Sequence, residues 1–513
     1  MRRRLLATSA LLLPVALGGF LLGANARVRA SLDLFNQVFQ LVSETSLDSL
    51  PDEELYTRAA RGLIRELEDP YADLMSPEER ASFERNSIGN RYAGTGMTIR
   101  SHRGKVTAFR VFDGSPAAQA GLKPGDRIVE VDGTSVVGWA ADSVTTLLLG
   151  APDTDVRVTV ERAGHDAPIT TTVRRAVVRV PAVPYTILLE NRIGYVPITR
   201  FNDVSATDVA RAIINLDRQG ARSFILDLRG NGGGDLYQSL RMAGLFLEQG
   251  SEIARVKHRG KPNEVYRAEN PPLLPSAPLA VLIDGGSASA SEIVAGSLQD
   301  HDRALILGTR SFGKGLVQTQ AVLNNGWAVR LTTGKWYTPS GRSIQAEHSA
   351  LGDSRFVEDT IGGPDRPTYR SKAGREILGG GGVTPDVIVN QDTVTTAERV
   401  LARGIGNRAL DLQDAVFEVA RQLVAHESDP LRAVSAWRDS VYTVAVNHEV
   451  PMVRSDFDDA ATTIDRLLKA QVAGLVAGDS AAFAQRIPED RVLQEALARL
   501  QSAPTVKTLL GLN

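Results

Sequence analysis

The chain contains no cysteine. Disulfides, thiolate metal sites and cysteine nucleophiles are thereby excluded. Histidine is scarce, seven scattered among 513 residues, so the usual histidine base of a serine hydrolase has no obvious candidate. Neither sign of charge is in excess. Lys and Arg number 58 against 60 Asp and Glu, and a net charge of −2 gives no electrostatic case for a nucleic-acid partner. There is no HExxH zinc signature and no GxxxxGK[ST] phosphate loop, which argues against a zinc protease and an ATP-driven one. No metal or cofactor site is read anywhere in the chain. With 43% hydrophobic and 23% charged residues, the composition is that of an ordinary globular protein, long enough for about two to four domains.

What is present centres on residues 284–318, DGGSASASEIVAGSLQDHDRALILGTRSFGKGLVQ. This stretch holds a serine in a small-residue loop, Ser289, and a lysine in a glycine-flanked turn, Lys314. A serine hydroxyl needs an adjacent base. Lysine can serve when burial lowers its pKa from about 10.4 towards neutrality, and the neighbours of Lys314 (Phe312, Gly313, Gly315 and Leu316) carry no charge. Residues 316–320 read as a strand, which puts Gln318 on the face of Lys314, where it could orient the amine. A helix opening near Ser289 offers backbone N–H groups to an oxyanion. The residues around Ser289 (Ser287, Ala288, Ala290 and Ser291) are small and leave room for a polypeptide.

SASASEIVAGSLQD followed by GTRSFGKGLVQT resembles the catalytic core of the carboxyl-terminal processing peptidases, or tail-specific proteases. These are serine endopeptidases with a Ser/Lys dyad, generally carrying a PDZ domain. The resemblance implies Ser289 as nucleophile, Lys314 as general base and Gln318 as the assisting residue. Some members use an aspartate after the serine helix, which maps to Asp300. Upstream, residues 223–228 read as a buried strand that runs into RGNGGGD from Arg229; strand, glycine turn and helix suit a layered α/β sheet. The family has D-L-R-x-N-x-G-G here and draws an oxyanion-hole N–H from the loop. This implies Gly233, with Gly232 second (where the family commonly has proline), as partner to the N–H of Ala290. The implied core is an α/β fold of the crotonase and Clp-protease type.

The rest follows in chain order. Residues 1–26 carry three arginines, an apolar run over 5–24 and a small-residue Ala24-Asn25-Ala26. They read as a secretory signal or an uncleaved membrane anchor, and so as export to the periplasm or the outer face of the cytoplasmic membrane. Residues 27–89 read as helical, with Leu32, Phe35, Val38 and Val42 at helical spacing. Residues 90–176 look like an inserted, β-rich PDZ domain, on AGTGMTI from Ala93 and GSPAAQAGLKPGDRIVEVDGTSV from Gly114. PDZ domains bind a peptide by strand addition and hold its terminal carboxylate on loop N–H groups. That places the loop at Gly94, Thr95, Gly96 and Met97. Met97 and Ile99 would form one groove wall, Val144 and Leu148 the other.

Residues 177–390 are the peptidase core, with 346–378 as an exposed insertion. Residues 391–513 form a helical extension beyond the resemblance, with Leu412, Val416, Phe417, Ala420 and Leu423 on one face. Family members often oligomerise at this end, so a homodimer is one expectation and a packing appendage the other. The expectation is a multidomain α/β protein with helical N- and C-terminal extensions: an exported serine endopeptidase that takes protein or peptide substrates by their carboxyl-terminal tails, with an activator or adaptor protein as a further partner. The competing readings are a non-catalytic PDZ adaptor on a protease-like core and, on the related fold, an acyl-CoA hydratase-like enzyme.

Overall fold

The computed structural model describes residues 28–84, 91–346, 366–390 and 395–512. The segment read as a signal or anchor lies outside them, as does 347–365 of the expected insertion. Among the described residues no helix is long and apolar enough to cross a membrane. The described residues divide into two compact units, one comprising those up to Glu78 together with Gln318–Thr332, the other comprising those of Glu79–Val317 and from Thr333 onward.

The first unit contains a helix over 28–45, α1 (Asp52–Arg65) and β1 (Asp73–Met75). Phe39 stacks on Tyr56 with ring centroids 4.2 Å apart, joining the two helices. β1 pairs antiparallel with Ala328, Val329 and Arg330. Asp69 fixes the turn before β1: its carboxylate accepts the N–H of Tyr71 at 3.0 Å and that of Thr332 at 3.2 Å. The helical spacing of Leu32, Phe35 and Val38 is borne out, but their face is not buried within the chain, with 57%, 45% and 53% exposure.

The second unit begins with the PDZ-like region. β2 (Arg91–Gly94) pairs with β8 (Ala176–Arg179), and between them lies a separate sheet in the order β3 (Met97–His102), β4 (Lys105–Val111), β5 (Arg127–Val131), β6 (Asp155–Glu161) and β7 (Ile169–Arg174). The helix α2 (Ala141–Leu148) packs on it, as does a short helical turn at Pro116–Gln119 that buries Ala117. Every second residue of β6 points inward: Val156, Val158 and Val160 are fully buried. The KPGD turn is pinned by Asp126, whose carboxylate accepts the Lys123 N–H at 2.8 Å and two bonds of 2.7 Å from Arg162.

The core is a six-stranded sheet in the order β9 (Ile187–Leu189), β10 (Ile193–Pro197), β11 (Ser223–Asp227), β12 (Leu279–Ile283), β13 (Leu305–Gly308) and β14 (Val387–Ile388), parallel except for its first pair. β11 and β12 are buried along their whole length, as strands covered on both faces must be. One face carries α3 (Ser205–Arg218), α4 (Leu236–Gly244) and α5 (Ala290–Asp300), packed on Phe224, Leu226, Val281 and Ile283.

The opposite face (Tyr195, Ile225, Ala280, Leu282, Leu305 and Leu307) is covered by the C-terminal extension. The extension contains α6 (Ala409–His426), α7 (Ala461–Ala484) and α8 (Arg491–Ser502). α8 supplies Val492, Leu493, Ala496 and Leu500 to the sheet. In α6, Leu412, Val416, Ala420 and Leu423 are buried as expected; Phe417 instead meets the ring of Phe109 in the PDZ-like region at 5.9 Å. Nearby, Asp411 takes His102 and Glu418 takes Arg127, at 3.0 and 2.9 Å. The extension therefore packs on both the core and the PDZ-like region. The expected exposed insertion is corrected in part: its described end forms a hairpin, Thr368–Arg370 with Glu376–Leu378, in which Ile377 is buried and Arg375 grips Asp302 and Asp386 at 2.6 and 2.7 Å.

Candidate active site

β12 ends at Ile283, and the chain turns through DGGSASAS into α5. Ser287 and Ser291 are buried and act as fasteners. Ser287 Oγ donates to the carbonyl of Leu228 at 2.8 Å, and Ser291 Oγ donates to that of Asn231 at 2.8 Å. Ser289, between them, is the one residue from 287 to 300 that is not buried. Its backbone is left-handed, φ 54° and ψ −109°. Such a conformation costs a non-glycine residue about 1–3 kcal/mol and persists only where the surroundings enforce it. A strand-to-helix bend of this kind presents a serine hydroxyl at the top of a sheet.

The glycine loop after β11 lies directly against this bend. At Gly233, φ is +97°, and a Cβ there would sit 3.0 Å from Ser289 Cβ and 2.7 Å from the Ala288 carbonyl. Only glycine allows so close an approach. The Gly233 N–H, the first oxyanion candidate from sequence, is committed to Asn231 Oδ1 at 2.9 Å. The N–H groups of Gly232, an exposed residue, and of Ala290, at the start of α5, have no hydrogen-bond partner among the described residues.

The residue that ties serine and lysine together is one the sequence reading passed over. Glu292 is fully buried at the first turn of α5. Its Oε2 accepts the N–H of Ser289 at 2.7 Å and that of Lys314 at 2.9 Å. Oε1 accepts the hydroxyl of Ser311 and the N–H of Gly313, each at 2.6 Å. Two backbone nitrogens on a single oxygen can be no farther apart than the sum of their bonds, so the serine bend and the lysine turn are held side by side. Burial pushes the Glu292 carboxyl up to about 7, and the four donated hydrogen bonds pull the other way. An acid three residues after a helix-capping serine is a legible signal, S-x-x-E.

Lys314 is half-buried, and its carbonyl accepts the indole N–H of Trp336 at 3.1 Å. Gln318 belongs to the first unit, where its amide donates to Thr332 Oγ1 at 3.4 Å. Asp300 requires correction. It closes α5 at the end opposite Ser289, about 16 Å along an 11-residue helix. Its carboxylate is taken by Arg342 at 2.8 Å and by the Ser340 N–H at 2.8 Å. It is a structural ion pair and is not brought to the serine.

In the PDZ-like region, Gly94 ends β2, Gly96 has φ +82°, and Met97 and Ile99 lie on β3. Thr95 is buried and its carbonyl accepts the Ala117 N–H at 2.7 Å. Val144 and Leu148 also require correction: at 0% and 4% exposure they belong to the domain's own core. Of the half-buried helix positions, Leu147 packs against the domain core, which leaves Ala141 and Thr145, four residues apart, to line a groove.

Asp414, Glu418 and His448 converge closely enough to hold a metal ion. Glu418 is already paired with Arg127 at 2.9 Å and Lys105 at 3.4 Å, so charge there is balanced without one.

Residues 192–351 match Peptidase family S41, and residues 110–162 match a PDZ domain. The carboxy-terminal processing protease CtpA of Bacillus subtilis (strain 168) is 34% identical over 315 residues, 61% of this chain and 67% of that protein. The chain belongs to the carboxy-terminal processing proteases. Another relative of this serine-type peptidase, the carboxy-terminal-processing protease of Bartonella bacilliformis, is 37% identical over 317 residues, 61% of this chain and 72% of that protein. Among solved structures, a photosystem II D1 C-terminal processing protease aligns at 27% identity with a TM-score of 0.36, covering 69% of this chain and 92% of that one. Within the peptidase, the S41 match spans the glycine loop, the serine bend and the lysine turn; the matched regions stop short of the helical extension that covers the far side of its sheet.

Proposed function

We propose that this peptidase is an exported endopeptidase in which Ser289 is the nucleophile and Lys314 the general base, and that its PDZ domain selects substrates by their carboxyl-terminal tails. The observation that carries the reading is Glu292, which receives the N–H groups of Ser289 and Lys314 on one oxygen. Ser289 Oγ attacks the peptide carbonyl carbon as Lys314 Nζ takes its proton. The oxyanion is received by the N–H groups of Gly232 and Ala290. The lysine then gives the proton to the leaving amine, and a water activated by the same amine hydrolyses the acyl-enzyme ester. The substrate's terminal carboxylate binds at the loop Gly94, Thr95, Gly96 and Met97, and its last residues lie along β3, facing Ala141 and Thr145. The apolar leader over residues 5–24 supports export.

The test is turnover of an unfolded protein with an apolar carboxyl-terminal tail. Wild type cleaves it, and Ser289→Ala and Lys314→Ala fall to background. Cleavage by Ser289→Ala at the wild-type rate, or undiminished labelling of that variant by a serine-reactive phosphonate, overturns the assignment. No turnover by wild type would instead move the chain to the non-catalytic adaptor reading.

A further inference from the structure

The glycine loop has its root at Asp227 and Arg229, where β11 ends. Asp227 Oδ1 accepts the backbone N–H of Arg229 at 3.0 Å, and its two oxygens take the guanidinium of the same residue through Nε and Nη2, the closest bond being 2.6 Å. Asp227 Oδ2 also accepts the hydroxyl of Tyr195 at 2.7 Å. The outer edge of the guanidinium is held by a residue 261 positions away in sequence: Nη1 and Nη2 of Arg229 donate to Oδ1 and Oδ2 of Asp490 at 2.8 and 2.7 Å. The side chains of Arg229 and Asp490 are each only 12% exposed. A planar guanidinium gripped on two edges by two carboxylates has one orientation.

That orientation reaches the serine. Immediately after Arg229, the Gly230 N–H donates to Asp284 at 2.8 Å, and the carbonyls of Leu228 and Asn231 receive the hydroxyls of Ser287 and Ser291. Asp490 lies at the carboxyl ends of the parallel strands, where an α/β sheet keeps its reactive loops. The apolar face of α8 already accounts for the packing of the extension on the sheet, so a charged bidentate grip is not needed for that purpose.

We propose that Asp490 is a positioning residue for peptide hydrolysis: through Arg229 it sets the glycine loop in register with Ser289. The C-terminal extension thus completes the active site from outside the matched peptidase region. The proposal rests on the reading of that loop as the oxyanion donor. Without the Asp490 charge, Arg229 is held on one edge, its guanidinium and Asp227 can rotate together, and the acceptor of the Arg229 N–H is no longer fixed in place.

Asp490 has a second task that the test must separate, since its side chain also caps α8 by accepting the Leu493 N–H at 3.0 Å. Asparagine keeps the cap and removes the charge. In the full-length chain, Asp490→Asn is expected to lower kcat on the order of tenfold with KM little changed, because a small misplacement of reacting groups acts on the chemical step. Its Tm falls only slightly because Arg229 keeps Asp227 as an ionic partner, amides of residues 228–234 exchange hydrogen faster than that small loss explains, and Asp490→Glu restores part of the rate. Wild-type kcat with unchanged exchange in Asp490→Asn overturns the proposal, as does a loss of rate that merely follows a loss of Tm. If the wild type shows no Ser289-dependent turnover, the dyad reading falls by itself. The exchange of residues 228–234 then still decides the proposal, faster exchange supporting it and unchanged exchange ending it.

Discussion

The two ends of α5 each bury a carboxylate, and they use it in opposite ways. At the amino end Glu292 receives four neutral hydrogen-bond donors. At the carboxyl end Asp300 meets Arg342, both side chains almost wholly out of water. The Asp300 carboxylate, clamped between Arg342 and the Ser340 N–H, works as a rivet. Glu292, held by three backbone N–H groups and the Ser311 hydroxyl, is raised by burial to about 7 against the pull of those bonds, and stays responsive to its surroundings. The serine and lysine are attached to Glu292.

Removing the rivet has the largest expected effect. Asp300→Ala leaves the Arg342 charge buried and unpaired, which should destabilise the fold by about 3–5 kcal/mol in a denaturant titration. Turnover per folded molecule stays at the wild-type level. A fall in that quantity would return Asp300 to the catalytic set. Next comes Glu292→Gln, which preserves shape but turns an amide NH2 towards N–H donors. Turnover is expected to drop on the order of a hundredfold as the bend and the lysine turn separate, with a smaller loss of stability than at Asp300.

The same variant sharpens the pH behaviour. Below about 7 the wild-type Glu292 takes up a proton and loses acceptor capacity, so the rate should fall on an acidic limb near that value. Glu292→Gln should lack the limb; a limb that persists belongs to another group. The smallest effect runs the other way. The folded pKa lies above the ordinary value of about 4.3, so the folded protein binds this proton more tightly than the unfolded chain does. The stability contributed is present below about 4.3 and lost as pH rises through about 7. Denaturation of wild type and Glu292→Gln at pH 5 and pH 8 should show the difference between them shifting in that sense.

Much of this was legible from sequence where spacing is local. The strand–loop–helix around Ser289 follows from an apolar pentapeptide, small turn residues and a helical run, and the structure has a strand at Leu279–Ile283 and a helix from Ala290. The layered core and the PDZ turns were equally readable, because their glycines and prolines stand in a fixed order. Glu292 was not recognised, since a glutamate in a helix reads as solvent-facing until the lysine turn is known to cover it. Val144 and Leu148 lie on the core face because apolar periodicity marks the buried side of a helix, while a groove is lined by the half-buried side. Asp490 could not have been found by spacing at all: it caps α8, its partner Arg229 follows β11, and only the packing of α8 on the sheet brings them together.

The left-handed backbone at Ser289 also chooses which amino acid can stand there. Threonine carries the same hydroxyl, but a branched Cβ makes φ near 54° a true outlier. The bend therefore admits only one of the two aliphatic alcohols in the genetic code, and a conservative exchange by hydroxyl chemistry is a forbidden one by backbone shape.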